Sequence, residues 1–495
     1  MTMATLSLEA EAPLVLEKLA AANARFSKRY PGASERRQPV HTVYGGAQLF
    51  RSDIAKRLGK GALASLDAYG PDAISFARAI GLSGADTLPT KKKAVKRLLA
   101  LSDEERAALR TSDRPAWLAL TVYDRVRRKL LSEPVEDFRI DFEDGFGNRP
   151  DDEEDATAVV AAEEVAKGYA AGELPPFIGI RIKPLNEELK RRSARTLDIF
   201  LTTLVARLGG ELPKGFVVTL PKVPVPEQVS ALAELLDMLE SKLGLEAGAV
   251  SIELMIELTQ SIFDAEGTFL LPRLLAAANG RCSGAHFGTY DYTASNDITA
   301  AYQTMSHPAC QLAIALMKIA YTNTGIQLSD GATNVLPVPI HRSEELSKDE
   351  RAANLAAVHG AWELAHRHIR ASLENGVYQG WDLHPAQLPV RYAATYAFFL
   401  EGFDAAALRL SNFISKAAQA TLVGDVFDDA ATGQGLLNYF LMAQNAGAVT
   451  PGELEVSGLS RDEIALRSFV KILAGRTGGG TSAPPAARGR SEPVA

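Results

Sequence analysis

The sequence predicts a closed (β/α)8 barrel with a helical insertion after its first strand and a helical C-terminal region. Three observations carry this. Seven short apolar runs recur roughly every 35 to 55 residues: Phe138–Asp141, Phe177–Arg181, Phe216–Leu220, Ile252–Glu257, Ala285–Asp291, Gly325–Asp330 and Gly380–His384. Between them lie helical stretches long enough to cross back over a sheet, the cadence of repeated strand-helix units. An eighth run, Pro39–Tyr44, brings the count to the number that closes a TIM barrel.

Taken in order, residues 1–38 form an N-terminal arm with an amphipathic helix around Pro13 to Phe26, expected to pack on the outside of the barrel. The barrel spans 39–388. About 95 residues separate His41 from Phe138, so the first unit holds an insertion at about 52–135, with helical segments at Ser52–Leu58 and Thr90–Leu101. The basic run beginning at Lys91 is a solvated helix face or a grip for a phosphate. Residues 389–474 are rich in Ala, Leu and Phe and form a helical C-terminal domain. The Gly/Pro/Ser-rich tail at 475–495 is too poor in apolar residues to pack and is expected to be disordered.

At 495 residues the chain exceeds an ordinary barrel, which leaves room for these additions. Hydrophobic residues at 46% and charged ones at 23% fit a soluble globular protein. With 53 basic and 60 acidic residues the net charge is −7, giving no general attraction to nucleic acid or an anionic membrane. Two cysteines, Cys282 and Cys310, match no zinc spacing and point to free thiols in a reducing compartment. No apolar run approaches the roughly 20 residues that span a bilayer, so a cytoplasmic location is expected.

Polar residues at strand ends mark the catalytic face of such a barrel. Glu257 and Asp291 lie one strand-helix unit apart, so both would face one cavity. Two carboxylates without nearby Cys or paired His suit a hard ion, Mg²⁺ or Mn²⁺, that keeps several waters. The alternative is an N-capping Asp and a solvated Glu. Arg181 closes its strand, where a guanidinium can fork onto a carboxylate or hold a developing enolate oxygen. It can equally pair with Asp141, Glu143 or Asp144, three acids at one strand exit that would orient Arg181 or the metal's waters. Lys222 neutralises substrate charge or snorkels to the surface. His384, followed by a proline, is placed to donate a hydrogen bond into the site, and His41 has similar standing on the first strand. His366 and His368 point to different helix faces and are not read as a metal pair.

These residues resemble the citrate lyase β-subunit and HpcH/HpaI aldolase superfamily, together with malate synthase. Asp141-Phe-Glu-Asp-Gly145 resembles the acidic motif of both branches, and Leu220-Pro-Lys-Val223 that of the lyase branch. Met255-Ile-Glu257 is similar to the metal-glutamate strand. Gly288-Thr-Tyr-Asp-Tyr292 resembles malate synthase's Gly-Arg-Trp-Asp-Tyr, and Gly380-Trp-Asp-Leu-His-Pro385 a motif of both families. The resemblance implies Mg²⁺ on Glu257 and Asp291, Arg181 at the substrate oxygen, and Gly288, Thr289, Lys222 and His384 around the substrate. Asp428-Asp-Ala-Ala-Thr432 resembles malate synthase's Glu-Asp-Ala-Ala-Thr, which assigns the general base to Asp429. The chain departs from the pattern at Thr289 and Tyr290, where malate synthase has arginine and tryptophan, so the pocket wall should differ. Glu143-Asp-Gly145 stands where the pyruvate aldolases normally have a histidine.

The leading expectation is a Mg²⁺-dependent carbon-carbon lyase or aldolase acting through an enolate on a 2-oxo acid such as glyoxylate, pyruvate or oxaloacetate. Asp429 supports a second reading, a malate synthase-like condensation with acetyl-CoA or a related coenzyme A thioester. A third is a non-catalytic barrel subunit of a complex. The partner is expected to be a small molecule, with a homo-oligomer open.

Overall fold

The computed structural model describes residues 8, 12–32, 34, 36–415, 421–423, 426–428 and 430–477. Asp429 and the tail from residue 478 onward lie outside them. Eight parallel strands close a barrel in chain order: β1 (His41–Gly46), β2 (Asp137–Asp141), β3 (Phe177–Arg181), β4 (Val217–Leu220), β5 (Ser251–Ile256), β6 (Cys282–Phe287), β7 (Gln327–Ala332) and β8 (Gln379–Trp381). Closure is made by β1 and β8, where His41 pairs with Gly380 and Thr42 with Trp381. The insertion between β1 and β2 is helical, as expected, and includes the helices Ile54–Tyr69, Lys92–Leu99 and Arg114–Ser132.

The pleat sorts each strand into an outer and an inner row. Outward residues are apolar and packed under helices: Ile140, Ile180, Val218, Leu254 and Phe287 are each essentially inaccessible. The inner row is polar. Arg139 donates to Asp137 and, at 2.8 Å, to Glu253. Glu253 also accepts from Thr219 at 2.8 Å and lies 3.0 Å from His286 Nε2. Asp137 accepts from Thr42 at 2.6 Å, and Gln379 donates to Thr42 at 2.9 Å. The Tyr44 hydroxyl crosses the lumen to lie 3.0 Å from His286 Nδ1 and donates to Glu253 at 3.3 Å. A barrel of this type is ordinarily filled by layers of branched apolar side chains. Here ions that burial would otherwise penalise stabilise one another.

Compact units divide after Ala397. In the second unit the helix begun at Leu388 runs on to Ser415 and is followed by a hairpin of β9 (Thr421–Val423) and β10 (Val426–Asp428). Phe403 meets Phe440 edge-on, and Phe413 packs on Phe469. The final helix, Phe469–Thr477, continues past residue 475, where the disordered tail was expected to begin.

One expectation is corrected. The arm's helix, Ala12–Arg29, does not pack on the barrel: none of its residues is buried, and Leu14, Val15 and Phe26 are about two-thirds exposed. Amphipathicity marked a face able to pack, and the structure leaves it uncovered. Cys282 and Cys310 are free thiols, and no helix among the described residues is long and apolar enough to cross a membrane.

Candidate active site

The strand ends carry the acids and bases to one face. Asp141 ends β2, and its carboxylate folds the following loop by accepting from the backbone of Glu143 at 2.9 Å and Gly145 at 2.7 Å. Arg181 ends β3 and clamps the same carboxylate through Nε at 2.7 Å and Nη2 at 2.5 Å. Its third nitrogen, Nη1, lies 3.1 Å from Glu143 and 3.8 Å from Asp144. The guanidinium rests on the Tyr44 ring, 4.9 Å from its centroid, so the polar lumen supports it from below. Arg181 is thus ion-paired while standing at the strand-end face.

Lys222 is the hub. It follows β4 with φ of 51°, a left-handed conformation uncommon outside glycine. Its backbone N–H donates to Glu257 Oε1 at 2.7 Å. Its ammonium lies 2.5 Å from Glu143, 3.1 Å from Asp291 and 3.5 Å from Asp144. Glu257 and Asp291 thus both meet Lys222, the first through its backbone N–H and the second through its ammonium. Asp291 reaches it from the first turn of the short helix Thr289–Ser295, not from the end of β6, which stops at Phe287.

Five carboxylates (Asp141, Glu143, Asp144, Glu257 and Asp291) meet two cations here. Burial, reinforced by Asp291 and Glu143, raises the Glu257 carboxyl to about 8 against the pull of Lys222 and Arg181. Burial also raises Glu143. Lys222 is raised as well, because Glu257, Glu143 and Asp144 outweigh the burial that would lower it. Among the described residues no group of three or more His, Cys, Asp and Glu side chains forms a ready cation cage. Mg²⁺ needs only one or two carboxylates when waters and substrate complete its shell. Glu257 and Asp291, converging beside an excess of negative charge, fit that requirement.

The other expected residues are placed as follows. Gly288 lies against Glu257: a Cβ there would meet the Glu257 Cβ and Oε2 at 2.5 Å each. Its N–H is spent on Ile256 at 3.0 Å. Thr289 is 2% exposed, with its hydroxyl turned to Gly331 and no hydrogen-bond partner among the described residues. Tyr290 bridges Ala332 and Asn334. His384 uses Nδ1 to accept from Ala386 at 3.2 Å and caps its own turn. His41 is fully buried, accepts from the Glu136 backbone at 3.0 Å, and lies 3.0 Å from Asp382 without hydrogen-bond alignment. His368 contacts Thr333 and Thr304, and His366 is buried nearby on the same helix. Asp429 lies outside the described residues.

Sequence reasoning missed Tyr44 beneath Arg181 and Lys183, whose ammonium donates to the Phe142 carbonyl at 2.6 Å and pairs with Glu154 at 3.1 Å. The alternation Thr42, Tyr44 along β1 held the signal for Tyr44, since both residues share the inner row.

Solved structures similar to this chain include a citrate lyase from Burkholderia xenovorans LB400, at 18% identity and TM-score 0.48, covering 68% of this chain and 92% of that one. An HpcH/HpaI aldolase/citrate lyase family protein from Burkholderia cenocepacia J2315 matches at 10% identity and TM-score 0.35, covering 74% and 95%. The magnesium/glyoxylate complex of Haloferax volcanii malate synthase matches at 16% identity and TM-score 0.36, covering 69% and 88%. No curated protein matches the chain. The family described as Domain of unknown function (DUF6986) matches residues 19–472, nearly the whole chain, and the protein belongs to that family.

Proposed function

We propose that this protein is a Mg²⁺-dependent carbon-carbon lyase or aldolase that acts through an enolate on a 2-oxo acid such as glyoxylate, pyruvate or oxaloacetate. One observation carries the reading: Glu257 and Asp291 converge on Lys222 within a group of five carboxylates and two cations at the strand-end face. Such a site has unmet demand for positive charge. Glu257 and Asp291 would hold the ion, which when bound supplies Lewis-acid stabilisation of a keto oxygen and of developing negative charge.

The chain's own groups have distinct tasks. Asp141 fixes Arg181 through two bonds, so that Nη1, the nitrogen with the looser partners, is the one able to turn to a substrate oxygen. Glu143 and Asp144 retain Lys222 on their side, which leaves Asp291 free to exchange its ion pair for the ion. Tyr44 keeps water from the underside of Arg181 and preserves the strength of its charge in a drier setting.

A second reading, condensation of a coenzyme A thioester with the same class of keto acid, is favoured by the motif Asp428-Asp-Ala-Ala-Thr432, with Asp429 as base. Incubation with Mg²⁺, glyoxylate and acetyl-CoA separates the two. Thiol release abolished by Asp429→Asn supports condensation. Metal-dependent release of a 2-oxo acid from a β-hydroxy acid or acyl adduct, with no thiol released from acetyl-CoA, supports the lyase. If Glu257→Gln and Asp291→Asn bind Mg²⁺ as the parent does, both readings fail.

A further inference from the structure

The apolar outer row of the barrel is broken at one place on β7. His286 of β6, an inner-row residue, pairs with Ser329, so the alternation turns the next side chain, Asp330, outward under the helices. The other strands place Ile140, Ile180, Val218, Leu254 and Phe287 in that row. Asp330 is not sealed in. It is half-buried and lines a cavity of about 480 Å³ that opens between the helices Pro308–Tyr321 and Lys348–Glu374. Met305, Ile314, Ile319 and Ala371 give this cavity an apolar wall, and half-buried Lys318 also lines it.

The cavity contains one acid and one lysine, and they do not neutralise each other. Asp330 accepts from the Ser372 hydroxyl at 2.5 Å and the Gly331 N–H at 2.8 Å, which leaves carboxylate lone pairs unused. Lys318 donates to the Gly376 carbonyl at 3.1 Å, one of the three bonds an ammonium can make. Among the described residues neither forms an ion pair, with the other or with a third group. A charge withdrawn from water without a partner is costly. Burial accordingly raises the Asp330 carboxyl, against Ser372, Gly331 and the charge of Arg391, and burial lowers Lys318. The remaining polar groups of the wall are committed: both ring nitrogens of His368 face threonine hydroxyls, and the Cys310 thiol points to the Thr304 carbonyl. Two opposite charges with spare bonding capacity, set apart in one apolar-walled cavity, describe a receptor for a molecule that carries the complement of both.

We propose that this opening is a second ligand site that takes a small zwitterion with an apolar body, the chemistry of a free amino acid, with its ammonium on Asp330 and its carboxylate on Lys318. The site is independent of the catalytic reading, since none of its residues belongs to the strand-end group around Lys222.

Isothermal titration calorimetry of the full chain without Mg²⁺ tests this, with L-leucine in one arm and 6-aminohexanoate in the other. Saturable binding of at least one is expected, and whichever binds tighter reports how far apart the ligand's charges must lie. Hexanoate and hexylamine, which carry one charge each, should bind at least tenfold more weakly. Asp330→Asn, nearly isosteric, and Lys318→Met, which keeps an apolar stem on a half-buried residue, should each weaken the zwitterion at least tenfold. Lys318→Met carries the test alone should Asp330→Asn not fold. Lys92→Met, on a different helix and fully outside the cavity, should leave binding within twofold of the parent, and Glu257→Gln should do the same. The proposal is overturned if neither zwitterion binds saturably, if hexanoate or hexylamine binds as tightly, if Lys318→Met or folded Asp330→Asn binds like the parent, if Lys92→Met weakens binding as much as Lys318→Met, or if Glu257→Gln abolishes binding and so moves it to the catalytic face.

Discussion

Glu257 lies at 1% exposure with a carboxyl raised to about 8. Binding of the proposed Mg²⁺ would therefore displace a proton at neutral pH. Below pH 8 the Mg²⁺ dissociation constant should fall as pH rises, by up to about tenfold per unit, and level off above it. Glu257→Gln should remove both the affinity, by about 100-fold, and this pH dependence, as titration calorimetry would read directly. Gly288 is legible in the motif but its reason is not. A Cβ at that position overlaps Glu257, so Gly288→Ala should cost about 1 to 3 kcal/mol of stability and weaken Mg²⁺ binding. Denaturant titration without metal separates the two effects. His366 and His368 are lowered to about 4, chiefly by burial. A group with a depressed folded pKa contributes stability above its unfolded value near 6.5 that is lost as pH falls toward 4. Protonating each as pH falls from 6.5 toward 4 should cost up to ~3 kcal/mol, and urea midpoints measured across that window should fall less in His366→Gln and His368→Gln.

Among the elements, the helix Ala12–Arg29 and the strands behave oppositely. A strand with one apolar and one polar row is fixed by the barrel that buries it. The arm helix has the period of a packed helix but no buried residue, and isolated helices of its length are marginal in water. Deleting residues 1–29 should shift the melting temperature by less than about 2 °C, because almost no apolar area leaves the core. A loss above about 8 °C in differential scanning calorimetry would mean that the helix is covered in solution. The strand runs were readable to within a few residues. Asp291 was not, because a strand and the first turn after it can carry the same apolar alternation, and only hydrogen bonding ends β6 at Phe287.

For the whole molecule, the apolar outer row and the charged inner row place the core and the candidate site on different faces of the same strands. The outer row supplies the core. The inner network joins the two mouths: Arg139 and His286 line a cavity at the N-terminal mouth, and Glu253 and His286 hold the Tyr44 hydroxyl beneath Arg181. Tyr44→Phe retains the ring but leaves Glu253 and His286 without the hydroxyl, so it should destabilise the fold by about 1 to 3 kcal/mol. Tyr44→Leu should in addition lose the ring's contacts with Trp381 and Arg181, read as a lower melting temperature than Tyr44→Phe and, under the proposed function, a lower kcat.

By itself the sequence determined the eight strands, their order, the helical insertion and the acids and bases at the strand ends, because periods of two and of 3.6 residues are local properties. It also determined that Glu257 and Asp291 fall on neighbouring units. Only the tertiary structure decided that Lys222 is the hub of those acids, that Tyr44 supports Arg181, that the arm helix is uncovered, and that the lumen is charged from end to end. Closing the barrel brings together residues as far apart as Tyr44 and Glu253, separated by 209 positions, and no local pattern records which partner a buried charge will find on the opposite wall.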